Sequence, residues 1–189
     1  MKKDITTLSK EEIKSFCANN DIRSFVSSQV YSWIWNKSCS SFSDMSNVSL
    51  EDRSKFDKEF FINSLDVDVE EESSDGTIKT KFELHDGNFV EGVLIPKNKR
   101  MTACISSQVG CSLSCSFCAT GTLGLTRNLS ASEIYQQVVY ISKKCLEVHN
   151  QPLTNIVFMG MGEPLLNYKN VLRSIHFITS EEGLNMSYK

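Results

Sequence analysis

The order of apolar periods between Thr102 and Thr179 limits the fold more than any other feature of the chain. ACIS, ending at Ser106, reads as a short strand. Ser130 and Glu133 form a capping box for a helix running to about His149, with Ile134, Val138, Ile141, Cys145 and Val148 recurring on one face. LTNIVFM is β-rich and nearly all apolar, the pattern of a strand covered on both sides. GMGEP closes it, and Asn167 is placed to cap a second helix, YKNVLRSIHFIT. Strand, helix, strand, helix in that order indicates parallel βα units.

The preceding residues follow other periods. Residues 1 to 64 read as a small helical domain in three amphipathic pieces, each too short to be stable alone. Ser9 with Glu12 opens the first, with Ile13, Phe16 and Cys17 on a common face. SFVSSQVYSWIW sets Phe25, Val30, Trp33 and Ile34 in a stripe, and Ser49 with Asp52 opens a third helix through Phe56, Phe60 and Phe61. From Val67 the pattern alternates, and residues 65 to 100 read as a β-hairpin and linker. Ile78, Thr80, Phe82 and Leu84 share one side, Asp86-Gly87 supplies the turn, and FVEGVLIP returns. Pro96 and the KNKR tract mark a boundary before the βα region of residues 101 to 189.

Composition excludes several classes. The chain has 189 residues, 40% hydrophobic and 23% charged, which suits a globular protein rather than a disordered one. Its apolar runs fall far short of the roughly 20 residues of a membrane helix. MKKDITTLSKEE lacks the apolar core of a secretory signal, so a cytoplasmic location is expected. A net charge of −3 gives no overall basic field. KNKR, Arg127 and Lys143-Lys144 are either a local basic patch or a solvated surface.

SQVGCSLSCSFCATG gathers Cys111, Cys115 and Cys118 of the seven cysteines on a C-x3-C-x2-C spacing. In a reducing compartment such clustering favours metal ligation over disulfides. A closed structural zinc site wants four protein ligands, and this loop offers three. A cubane iron–sulfur cluster also needs one ligand per iron, so three thiolates leave one iron open. Both readings stand on spacing alone, as a structural three-cysteine site or a cluster with a free position.

The triad, with Phe117 before its last cysteine and a strand ahead of it, resembles the signature of radical S-adenosylmethionine (SAM) enzymes. That resemblance implies a [4Fe–4S] cluster on Cys111, Cys115 and Cys118, with SAM chelating the fourth iron. Gly160 to Pro164 is similar to the "GGEP" motif of these enzymes, which implies that Gly162 lets SAM approach the backbone and Glu163 accepts hydrogen bonds from its ammonium. The longer stretches ACISSQVGCSLSCSFCATGTLGLTRNLSASEI and NIVFMGMGEPLLNYKNV resemble the bacterial dual-specificity RNA adenine carbon-2 methyltransferases that modify 23S rRNA and tRNA. Relatives that methylate adenine at carbon-8 share these motifs and remain an alternative, as does a non-catalytic metal- or RNA-binding module. The implied fold is α/β: an incomplete radical SAM (β/α) barrel preceded by a small helical domain and a β-hairpin.

In that family one SAM methylates a cysteine, and a second is cleaved at the cluster to a 5′-deoxyadenosyl radical that takes a hydrogen from the thioether methyl. The methylene radical then adds to adenine, and the adduct loses a proton before a second cysteine releases it, forming a disulfide. The resemblance implies that Glu91, the charge within FVEGVLIP, accepts that proton, and desolvation in an apolar strand would raise its pKa. It likewise implies that Cys104 is the resolving cysteine, acting as a thiolate. Implied partners are 23S rRNA and tRNA and an electron donor such as a flavodoxin or ferredoxin. The family's methyl-carrying cysteine lies farther toward the C-terminus, and at roughly 30 residues per βα unit the stretch after Thr102 holds at most about three units. The expectation is an N-terminal portion that lacks its C-terminal half, binds its cluster poorly and cannot methylate RNA alone. Cys145 reads as core, while Cys17 and Cys39 carry no motif.

Overall fold

A computed structural model describes residues 2–187, which separate into two units: residues up to 63 together with those from 176 onward, and residues 64 to 175.

The first unit opens with β1 (Lys3–Asp4) and contains α1 (Lys10–Asn19), α2 (Ser24–Trp35), α3 (Leu50–Glu59) and β2 (Phe60–Phe61). The Ser9–Glu12 capping box forms, and Ser49 caps α3. The buried stripe of α2 is Val26, Val30 and Ile34 with Trp35, rotated from the expected one: Phe25 is exposed and Trp33 half-buried. Four-residue spacing from Val26 keeps one line along the helix, which Phe25 leaves by a whole residue. The third helix stops at Glu59, because Phe60 and Phe61 turn extended and pair in parallel with Lys3 and Asp4. Phe16, Phe42, Phe56 and Phe60 form an aromatic core, and Trp35 stacks on Phe177 at 3.6 Å between centroids.

The second unit is built on a five-stranded sheet. Its strands are β3 (Asp66–Glu72), β4 (Ile78–Glu83), β5 (Phe89–Lys97), β6 (Arg100–Cys104) and, after the intervening elements, β9 (Asn155–Val157), in the spatial order β3-β4-β5-β6-β9. The first four pair antiparallel, and β6 and β9 pair in parallel through Ala103 and Ile156. Between β6 and β9 lie β7 (Gln108–Gly110), the short α4 (Ala119–Thr122), β8 (Leu125–Asn128) and α5 (Ala131–His149); α6 (Tyr168–Thr179) follows β9. The strand–helix–strand unit with a parallel return is thus present. KNKR is a tight turn inside the sheet: Lys97 pairs with Arg100, and Asn98 takes the left-handed conformation with φ 57°.

Alternation along the strands decides what each face touches. Ile78, Phe82, Val90, Leu94, Met101 and Ala103 are buried, and Phe82 meets Tyr140 of α5 edge to face. Glu91 and Cys104 point to the opposite face, on which Val93 stands directly across from Cys104. Two expectations fail. Val148 is exposed in the last turn of α5. The last strand is three residues long and half-buried, because β6 is its one neighbour among the described residues, so it is an edge rather than a strand covered on both sides.

Candidate active site

The segment that follows β6 carries the site. Ile105, Ser106, Ser107 and Gln108 are all buried, yet three of the four are polar. Burial of such groups costs free energy unless they find partners, and of these side chains the Ser107 hydroxyl alone has none. Gln137, on α5, holds Ser106 through both amide atoms: its Oε1 accepts from the Ser106 N–H at 2.9 Å, and its Nε2 donates to the Ser106 carbonyl at 3.1 Å. The Ser106 hydroxyl donates to the Glu91 carbonyl at 2.6 Å and accepts from the Met161 N–H at 2.8 Å. The Met161 carbonyl accepts from the N–H groups of Ser107 and Gln108, and the Ile105 carbonyl from that of Gly160. The GMGEP turn is therefore laid along residues 105 to 108 by main-chain hydrogen bonds.

Gln108 completes the junction. Its side chain, 0% exposed, accepts from the Glu163 N–H at 2.8 Å through Oε1 and donates to Asn128 at 2.7 Å through Nε2. Gly162 lies against it with φ +93°, and a Cβ at that position would collide with the Gln108 side chain. A glycine is required there on both counts. Glu163 caps the turn Pro164–Asn167, one carboxylate oxygen accepting from the Leu165 N–H at 3.0 Å.

The cysteine loop springs from the same place. Gly110, at φ +74°, sits against the Gly124 carbonyl, and the Cys111 N–H donates to that carbonyl at 3.0 Å, so the loop closes on itself at its base. Beyond the base it is open. Cys111 is buried, Ser112 to Phe117 are exposed, Cys118 is half-buried, and Phe117 is 92% exposed. Ser114 adopts a left-handed conformation, and a turn joins the Cys118 N–H to the Cys115 carbonyl. All seven cysteines are free thiols. Among the described residues no three Cys, His, Asp or Glu side chains stand close enough together to hold a metal ion, so the triad shares one loop without converging on a point. The donor set nonetheless suits an iron–sulfur cluster: three soft sulfur donors on one closed loop, with exposed connecting residues free to fold around it.

Arg127, on β8, fastens the return side of the loop. Its guanidinium makes a bidentate pair with Glu133 at 2.9 and 2.9 Å, and its Nε donates to Asp86 at 2.6 Å. Glu133 is 1% exposed and also caps α5 through Ser130, with His85 at 3.5 Å. The Arg127 hydrogen bond holds the Asp86 carboxyl well below the usual range. Burial works against the charge on Arg127, but Glu133 and Asp86 raise its pKa further above its ordinary value. This arginine is accordingly committed to structure and is not part of a free basic patch.

Glu91 and Cys104 share the sheet face away from α5, on neighbouring strands and diagonal to one another, a relation that generally spaces residues by about 7–8 Å. The Glu91 side chain is not desolvated: it is 45% exposed and pairs with Lys79 at 2.7 Å. Burial raises the pKa of the Cys104 thiol, partly offset by a backbone hydrogen bond at Met159. Asn167 does not cap α6. Buried, it donates to the carbonyls of Ser107 and Leu129 at 2.8 Å each and so ties the end of the GMGEP turn to both sides of the loop base. Sequence reasoning passed over Ser106, Gln108, Asn128 and Gln137, although polar residues directly between a strand and a cysteine loop were the available signal.

Residues 3–62 match the family described as ribosomal RNA large subunit methyltransferase N-terminal domain. Across its length the chain is 53% identical to a probable dual-specificity RNA methyltransferase RlmN of Flavobacterium johnsoniae, covering 100% of this chain and 54% of that protein. It is 55% identical to one from Cytophaga hutchinsonii, covering 52% of it. A crystal structure of a radical SAM methyltransferase from Sphaerobacter thermophilus superposes with a TM-score of 0.83 at 35% identity, over 98% of this chain and 54% of that one. The chain spans about half the length of the curated relatives it matches. On these grounds residues 3–62 match a ribosomal RNA large subunit methyltransferase N-terminal domain, and the whole chain is similar to about half of a dual-specificity RNA methyltransferase RlmN.

Proposed function

We propose that this chain carries the cluster- and SAM-binding portion of a methyltransferase acting on carbon-2 of adenosine in 23S rRNA and tRNA, in the cytoplasm, with a flavodoxin or ferredoxin as electron donor. Cys111, Cys115 and Cys118 would hold a [4Fe–4S] cluster. When bound, such a cluster would supply the one-electron reduction that cleaves SAM. The observation that carries this reading is the junction at Gln108, which hydrogen-bonds the GMGEP turn directly to the base of the cysteine loop.

The chain's own residues divide the remaining work. Gly162, which carries no side chain in a turn packed tightly on Gln108, leaves the backbone of the turn bare for SAM to approach, and Glu163 uses one carboxylate oxygen on its own turn, leaving the other for the SAM ammonium. Glu91 receives the proton released when the adenine adduct collapses. Lys79 Nζ, 2.7 Å from one of its carboxylate oxygens, fixes where that acceptor stands. Cys104, on the same face, attacks as a thiolate to free the product and ends in a disulfide with the methyl-carrying cysteine, a role given to no residue of this sequence. Its raised pKa makes that thiolate scarce until a base or substrate stabilises it.

Anaerobic reconstitution with iron and sulfide tests the proposal. About four irons and four sulfides per chain, a band near 400 nm, and an altered electron paramagnetic resonance signal on adding SAM to the reduced protein are expected. A colourless chain binding one zinc, or a cluster indifferent to SAM, would overturn it.

A further inference from the structure

We infer that Gln108 is a positioning residue that sets the SAM-binding turn against the cluster-binding loop; this rests on the proposed reading of those two motifs. Three observations carry it. Gln108 lies three residues before Cys111 and one before Val109, inside the strand whose end closes the cysteine loop, so its main chain moves with the first thiol. Its side chain has two polar atoms, both used, and they run to different partners: Oε1 to the N–H of Glu163 and Nε2 to Asn128 on the return strand of the loop. Gly162 meets its Cβ and Cγ so closely that the turn has no freedom to drift toward it.

Geometry also says what the residue does not do. Fully buried, with its amide committed to Glu163 and Asn128, Gln108 presents no group to an entering substrate, and it carries no charge. Its effect is to fix where the Glu163 N–H, and with it the Glu163 carboxylate, stands relative to Cys111. Ser106 and Asn167 hold the same turn at other points, through the Met161 N–H and the carbonyls of Ser107 and Leu129. The turn therefore survives loss of the Gln108 side chain as a turn, while the Glu163 N–H loses its tie to the loop base and that end of the turn shifts against it. Removing one partner of a buried donor leaves the donor unsatisfied, which weakens whatever depends on its position.

The test compares the wild-type chain with Gln108→Leu, of similar volume but without either hydrogen bond, and Gln108→Glu, which retains an acceptor for the Glu163 N–H. Gln108→Asn, one methylene shorter, is measured in parallel in case the leucine variant fails to fold. After anaerobic reconstitution, each is assayed for iron and sulfide content, for SAM affinity, and for the change SAM produces in the resonance signal of the reduced cluster. Expected in Gln108→Leu and Gln108→Asn are wild-type cluster content, about tenfold weaker SAM binding, and a smaller or altered spectral change, with Gln108→Glu restoring most of both. Wild-type SAM affinity and spectrum in the leucine and asparagine variants would overturn the inference and leave the proposed function standing. Loss of the cluster itself would overturn it in favour of a plain structural role. A wild-type chain whose cluster ignores SAM would remove both.

Discussion

Residues 105 to 108 and residues 112 to 117 are neighbours in sequence and opposites in environment. The first segment is sealed from solvent, and the side chains of Ser106 and Gln108 and its main chain are tied to α5, to the Glu91 strand and to the GMGEP turn. The second is exposed throughout, its one thiol, Cys115, free and the Phe117 ring almost fully solvated. One region carries the connectivity and the other the chemistry. A site that must both bind a labile inorganic group and present it in a fixed place is served by this division, since a rigid base fixes the position that an open loop completes.

The contrast is most vulnerable at Arg127. Arg127→Ala strips the bidentate partner from a carboxylate that is 1% exposed, and breaking such a pair generally costs about 3–5 kcal/mol. Denaturant unfolding of the chain should show a loss of that order together with poor cluster retention; a loss under about 1 kcal/mol would mean that the base is not held as described. Gly162→Ala comes next. It combines a left-handed backbone with a collision against Gln108, and roughly 2 kcal/mol of destabilisation is expected from such combined strain, read as a lowered midpoint.

The open segment should behave in reverse. Cys115→Ser should change the stability of the cluster-free chain by less than about 0.5 kcal/mol, as exposed substitutions do, while abolishing cluster assembly measured by iron content. Iodoacetamide should modify the exposed Cys115 well before Cys104, whose raised pKa confines rapid alkylation to pH above the ordinary thiol value of 9.0; equal rates at pH 8 would contradict the burial described. The smallest effect is in acid. The depressed Asp86 pKa means that the unfolded chain binds this proton more readily, so its contribution to stability is complete above its ordinary value of 3.8 and is lost as pH falls toward the folded value. Asp86→Asn should flatten that part of the acid limb.

Legibility in the sequence followed the same division. The capping boxes at Ser9 and Ser130, the alternation from Ile78 to Leu84 and the cysteine spacing are local patterns, and the structure carries each of them. What escaped is non-local. Phe60 looks helical by spacing but follows β1 into a parallel pair. Asn167 has the chemistry of a cap, yet two carbonyls from distant segments claim its amide. Glu91 looks desolvated among apolar neighbours until Lys79, one strand away, comes beside it. Each of these outcomes depends on a partner more than ten residues off, and periodicity does not report on such partners.

Because the cysteine segment leaves and re-enters the sheet unit at one point, where the Cys111 N–H meets the Gly124 carbonyl, its contour length is uncoupled from everything beneath it. Evolution or an engineer can exchange the stretch between those two residues as a cassette, provided the three-cysteine spacing, the glycines at the hinge and the arginine behind it travel with the graft.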